Sequence, residues 1–487
     1  MKHFLGAWVV WLVAGVTVEA QSRDRVYSRP QLPSQAVLNR LNLKMAWRAY
    51  VPTGGQRDRI FSVQFLENQM LVLMRSGQLT ALDPETGTLQ WNLQVGLPYW
   101  ISQAPGYNNQ SIFVYSGARL YSLNRKTGGV EWDLEPKYFP SAPPAADDRN
   151  IYLAGGTGQL SIYEIPKPPQ KGLDVRASTR QDPESSPVYG PNAGGGRAGG
   201  EDAATVGGVL SSVGKKRLVQ EAAIQPTHLW DYEMQGRLEQ TPLLAENFLV
   251  LGDTRGTFIS LTKTFHEIQY SFRTEAGISA PLNQHGTTAY IASREYNVFA
   301  LDVVGGQILW RFTADRPILR RPAVTDEDVF VAPERGGLYR INRMTGAEIW
   351  RNQEAERYVA SNKAFVYALD PSGRVLVLDR GRGTLLSALD ARDFVVPVAN
   401  EFTDRVYLAS NDGLVICLHD SSYTKAMRVR TFEERKPQVE KKDEKLPDED
   451  KGEKKKPEKG PLDKKDDKKE DKKPADNKDE KKPDKEK

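Results

Sequence analysis

Histidine and cysteine are the side chains best suited to metal or nucleophilic chemistry, and here their spacing supports neither. His3 sits at the extreme amino terminus. His228, His266, His285 and His419 form no HxH or HExxH pattern that would bring two imidazoles to one zinc ion. Cys417, the single cysteine, lies in the apolar run Gly413-Leu-Val-Ile-Cys417-Leu418, where a thiol behaves as a small core hydrophobe. Gly194-Gly-Gly196-Arg-Ala-Gly199 spells GxGxxG, but it follows a Gly/Pro/Ser-rich stretch and not the strand that a dinucleotide site requires. Gly208-Val-Leu-Ser-Ser-Val-Gly214-Lys215-Lys216 is one residue too long for a phosphate loop, and it has Lys where Ser or Thr would hold magnesium. No GxSxG nucleophile motif is present. What remains is a set suited to binding rather than catalysis: Phe61, Trp100, Tyr138, Phe139, Arg320, Arg321 and Tyr358, aromatic and arginine side chains of the kind that anchor interfaces.

The elements that must position those residues are repeated ones. Gly77-Gln-Leu-Thr-Ala-Leu-Asp83-Pro-Glu-Thr-Gly87-Thr-Leu-Gln-Trp91 sets a template. It recurs around Asn124, Gly128 and Trp132, around Asp302, Gly306 and Trp310, and around Asn342, Gly346 and Trp350. Looser copies centre on Tyr163, Leu261, Leu378 and Leu418. The last apolar residue before each turn recurs at intervals of 41, 40, 98, 40, 40, 37 and 40 residues, so one interval is a repeat with an insertion. Within each copy short apolar runs alternate with period two between turn residues, and four such runs per forty residues describe a propeller blade. Asp or Asn at the turn can accept from following backbone amides, and Gly supplies the reversal. The eighth copy lacks its tryptophan strand, and Leu43-Lys-Met-Ala-Trp47-Arg-Ala-Tyr50 stands before the first copy. The expectation is an all-β, eight-bladed propeller of four-stranded blades closed by that amino-terminal strand, which leaves no free sheet edge.

The pattern Ala81-x-Asp83-x-x-Thr86-Gly87-x-x-x-Trp91, repeated as Ala300-x-Asp302…Gly306…Trp310, resembles the tryptophan-docking motif of the PQQ-repeat, quinoprotein-like propellers. The resemblance covers about residues 43–420. It implies that Trp47, Trp91, Trp132, Trp230, Trp310 and Trp350 dock on neighbouring blades, with Tyr270 and Ser387 departing from the pattern in blades four and seven. The family divides into PQQ- and calcium-dependent dehydrogenases and non-catalytic propellers, and this chain is nearest in type to the non-catalytic, BamB-like kind. One Cys cannot form the adjacent-cysteine disulfide that often covers the cofactor in the enzymes. No metal, cofactor or catalytic residue is assigned.

The flanks set the context. Lys2 and His3 precede an apolar stretch, Phe4 to Val18, that ends in Val18-Glu19-Ala20. This reads as a signal peptide over 1–20, too short to span a bilayer comfortably, followed by a lead segment 21–42. Residues 166–226 are an insertion between the third and fourth strands of blade three, within a propeller spanning 43–432. Residues 433–487 form a Lys/Asp/Glu-rich tail expected to be disordered. Residues 441–487 hold 19 Lys against 17 Asp and Glu, and the whole chain carries only +4, which argues against a nucleic-acid partner. The combined expectation is an exported, monomeric, non-catalytic scaffold, periplasmic or secreted, that binds protein partners in the cell envelope, in protein assembly there. A PQQ/calcium-dependent oxidoreductase and a carbohydrate- or polymer-binding propeller are the alternatives.

Overall fold

The computed structural model describes residues 30–55, 57–166 and 225–432. The signal segment, most of the 166–226 insertion and the 433–487 tail lie outside the described residues.

Seven four-stranded antiparallel sheets and one three-stranded sheet follow one another as eight blades. Blade one comprises Ile60–Leu66, Gln69–Met74, Gln78–Leu82 and Leu89–Gln94, in spatial order of sequence. The second strands are the driest, with every residue of Gln69–Met74 and of Ser111–Ser116 buried. Such strands meet a neighbouring sheet on both faces, so their apolar runs are continuous rather than alternating. The turns behave as their side chains dictate. Asp83 Oδ1 accepts from the amides of Glu85 (2.9 Å) and Thr86 (2.8 Å), and Asn342 Oδ1 accepts from Met344 and Thr345 at 3.0 Å each.

The ring closes through the amino-terminal strand. β1 (Leu43–Tyr50) pairs antiparallel with Leu414–Asp420, which pairs with Val406–Ala409. Blade eight therefore has three strands, and a lone bridge between Val396 and Ala409 marks its innermost edge. Before β1, α1 (Gln35–Arg40) is capped by Ser34. Its Leu38, 1% exposed, joins a core cluster with Val359, Tyr367, Val375 and Val406 from blades seven and eight. Blade seven is the one with Ser387 where the docking tryptophan would stand, and the helix packs apolar side chains at that junction.

Every third-to-fourth strand pairing carries a β-bulge at the same place. In blade one Leu82 pairs with Leu89 while Ala81 pairs with Trp91, so Gln90 is the extra residue. The same irregularity falls between Ser122 and Leu123, Ser260 and Leu261, Ala300 and Leu301, and at Met45/Trp47. A bulge re-aims the side chain after it. Here it buries Trp91 while Leu89 and Gln90 both face solvent, which simple alternation would not predict.

Candidate functional site

The docking motif works as a series of equivalent contacts between neighbouring blades. The indole N–H of Trp47 donates to the Pro84 carbonyl at 3.0 Å, and those of Trp91, Trp310 and Trp350 donate to Arg125, Arg343 and Arg380 carbonyls at 2.9, 2.8 and 2.8 Å. Tyr270, in the tryptophan position of blade four, substitutes its hydroxyl, which donates to the Val303 carbonyl at 2.9 Å. Each ring lies on the turn glycine of the next blade. A Cβ on Gly87 would overlap Trp47, and one on Gly346 would stand 2.6 Å from Trp310. Blade four has His266 at the glycine position, at φ 59°, and its imidazole packs against the Trp230 ring at 3.9 Å. Trp132 is buried against Phe113, facing the blade whose third-to-fourth connection is the insertion.

The innermost strands line the centre of the ring, and the seven aromatic and arginine side chains singled out for binding separate into three groups. Trp100 (59% exposed) and Phe139 (66%) are open to solvent, on the loops that enter blades two and three. Their carbonyls accept from Gly117 and Gly156 in the second-to-third turns of those blades, so they occupy equivalent places one repeat apart. Tyr99, held at φ 63°, and Leu97 are exposed beside Trp100. The equivalent positions entering blades four, five and six are Arg237, Gly277 and Pro317, so the aromatic sector belongs to blades two and three. Phe61 and Tyr138 are half-buried, Phe61 against the apolar cluster between blades one and two.

The remaining three depart from expectation. Tyr358 is a core residue and not a surface one. Its ring stacks on Phe330 at 4.4 Å, and its hydroxyl lies 3.0 Å from Ser361 Oγ and 3.3 Å from the Asn400 carbonyl. Burial pushes its phenol well above the usual range. Arg320 and Arg321 are not free recognition groups either, because both are committed to ion pairs between blades. Arg320 binds the Glu356 carboxylate and, at 3.0 Å, the Glu356 carbonyl. Arg321 reaches Glu401 Oε1 at 2.7 Å and Asn283 Oδ1 at 2.7 Å.

Glu401 belongs to a network that sequence reasoning missed. After its last strand the chain runs back across the inner ends of the blades. The Val429 amide donates to Phe402 in blade eight, and its carbonyl accepts from Asp326 in blade six. Thr431 Oγ1 donates to Asp326 Oδ2 at 3.0 Å, and His285 Nε2 contacts Asp326 Oδ1 at 2.7 Å. Arg430, buried, places Nη1 at 2.7 Å from Glu401 Oε2 and 3.3 Å from Asn283 Oδ1, while its Nη2 meets the Gln284 carbonyl. Residues 423–432 thus strap blades five, six and eight together. No repeat signal marks that strap, because it occurs once.

Calcium wants six to eight oxygens converging from carboxylates and carbonyls. Among the described residues no three His, Cys, Asp or Glu side chains come together in a metal-binding group. Of the two acids in this inner network, Glu401 is already shared by Arg321, Arg430 and Asn283, and Asp326 by His285 and Thr431. Cys417 is wholly buried in blade eight, where burial pushes the thiol up and away from reactivity. Among the described residues no helix is long and apolar enough to cross a membrane.

A family model described as outer membrane protein assembly factor BamB matches residues 12–167 and 271–439. The outer membrane protein assembly factor BamB of Shewanella oneidensis is 35% identical over 78 residues, 16% of this chain. The match spans only 19% of that relative's length. The crystal structure of BamB from Moraxella catarrhalis is similar in fold, with a TM-score of 0.53 at 15% identity, over 77% of this chain and 97% of that one. The computationally designed Ika8 protein is similar too, at TM-score 0.51 and 15% identity, over 76% of this chain and 99% of the design.

Proposed function

This chain belongs to the PQQ-repeat propeller family described as outer membrane protein assembly factor BamB, and from that premise we propose that it is a non-catalytic protein-binding scaffold of the cell envelope, acting in outer-membrane protein assembly. The observation that carries the reading is the solvent-facing sector of Leu97, Tyr99, Trp100 and Phe139. Large aromatic side chains left in water cost free energy unless a partner covers them, and burial of such anchors supplies much of the energy of protein interfaces. Their restriction to blades two and three gives a symmetric ring one distinctive side. Export through the amino-terminal segment would bring the chain to such partners, and the tail would serve as a soluble extension.

The test is photo-crosslinking from benzoylphenylalanine placed at Trp100 and, separately, at Phe139, in cells of the source organism. Crosslinks to outer-membrane assembly proteins are the expected result. Recovery of glycan alone would replace the reading with carbohydrate binding. Saturable, calcium-dependent binding of PQQ with dye-linked turnover would replace it with an oxidoreductase.

A further inference from the structure

A cleft on blade seven holds an arginine whose guanidinium donors are left open. It is bounded by the start of that blade's inner strand at Glu356 and Arg357, its second-to-third turn at Asp370–Gly373, and the loop 392–397 entering blade eight. Four arginines stand in or beside it, and three have their carboxylates. Arg320 is paired with Glu356, Arg374 with Asp370 at 2.7 Å, and Arg392 with Asp390 at 2.6 Å. Asp393, the other acid of the loop, accepts from the Gln31 amide at 2.8 Å. Arg357 is half-buried in the cleft and makes no ion pair or hydrogen bond from its guanidinium among the described residues. Burial, followed by the charge of nearby Arg320, draws its pKa below the ordinary guanidinium value, although the neighbouring Glu356 carboxylate pulls the other way. Guanidinium donors left open in a half-buried cleft are under-satisfied, and a ligand carboxylate would accept from them. Leu369, Phe394, Val395 and Pro397 supply apolar walls to the same cleft, which suits a carboxylate carried on a polypeptide better than a bare ion.

We propose that the blade-seven cleft is an acidic-peptide site, in which Arg357 receives an Asp or Glu carboxylate from a partner protein flanked by apolar side chains. This rests on the protein-binding reading above and names a second contact, on different blades from Trp100 and Phe139. The site uses a guanidinium fork because that geometry takes a carboxylate in two parallel hydrogen bonds.

The experiment is fluorescence anisotropy of the full chain with a fluorescein-labelled peptide of alternating Glu and Leu. The wild type should bind, and raised salt should weaken binding. Arg357→Gln should lose about tenfold or more in affinity, the loss expected for one charge-assisted contact. Arg357→Lys should retain part of it, and Arg255→Gln, an exposed arginine on blade four, should leave it unchanged, with melting temperatures reported for all three. Equal affinity in wild type and a folded Arg357→Gln overturns the proposal, as does no binding by wild type. Inorganic phosphate binding as tightly as the peptide, and lost in Arg357→Gln, overturns the peptide assignment in favour of a small-anion site. A protein crosslink at Trp100 without peptide binding would sink this site and leave the scaffold reading in place.

Discussion

Replacing Trp47 with Ala should open the ring at its seam. Trp47 is 8% exposed, lies 6.0 Å from the Tyr407 ring, and belongs to the apolar cluster by which β1 and blade eight pack against blade one. Truncating a buried tryptophan to alanine costs about 3–5 kcal/mol. The Pro84 carbonyl is not orphaned by the change, because the Tyr407 hydroxyl also donates to it at 3.0 Å. The cost therefore comes mainly from lost packing, and Trp47→Phe, which keeps an aromatic ring but gives up the indole N–H and part of the buried volume, should cost less, about 1–3 kcal/mol. At roughly 2.1 cal/mol/K of unfolding entropy per residue, over about 340 described residues, Trp47→Ala should lower the melting temperature by on the order of 4–7 °C. Trp310→Ala is the control, since Trp310 is equally buried and donates to Arg343 at 2.8 Å, but sits between blades that the chain already joins. Scanning calorimetry gives the shift, and limited proteolysis with mass spectrometry gives the first cut. Early cleavage within 43–59 or blade eight should appear in Trp47→Ala and not in Trp310→Ala. Matching first cuts in the two variants would refute the seam argument, and so would a Trp47→Ala melting temperature within about 1 °C of wild type.

Two further outcomes follow from the charge networks. Glu401→Ala strands the buried Arg430 guanidinium and should destabilise by about 3–5 kcal/mol, with faster hydrogen exchange at Met427 and Val429 than at blade-one amides; unchanged exchange there would show that the strap is held by its backbone bonds alone. Asp231 is the pH case. Burial alone would raise its carboxyl, but hydrogen bonds from Lys137, His228 and Ser161 outweigh that and hold it at about 2. Because the folded value is depressed, its contribution is present above pH about 4 and is lost as pH falls from there through about 2. The melting temperature of Asp231→Asn should accordingly fall less steeply than wild type across that window, and parallel curves would count against the assignment.

The repeat was legible in the sequence because each blade solves the same local problem. Period-two apolar runs, an Asp or Asn turn and a following glycine recur wherever a strand must reverse, and the four runs expected per repeat are the four strands of blade one. The donated strand was legible for the same reason, since a missing tryptophan at one end was matched by a surplus one at the other. The candidate surface was legible only by residue type. Trp100 and Tyr358 carry similar aromatic signals, yet one faces water and the other stacks on Phe330, because exposure depends on what the neighbouring blade brings. Arg321 looked like a free anchor until the fold set Glu401, 80 residues along the chain, against it. α1 and the Arg430 strap occur once each, so periodicity could not flag them. The sequence by itself determined the blade, its number and its closure, since those follow from local hydrogen bonding and alternation. Which arginines are paired, which aromatics are covered and which guanidinium keeps its donors open were decided only by the tertiary structure, since pairing is a property of side chains brought together across blades.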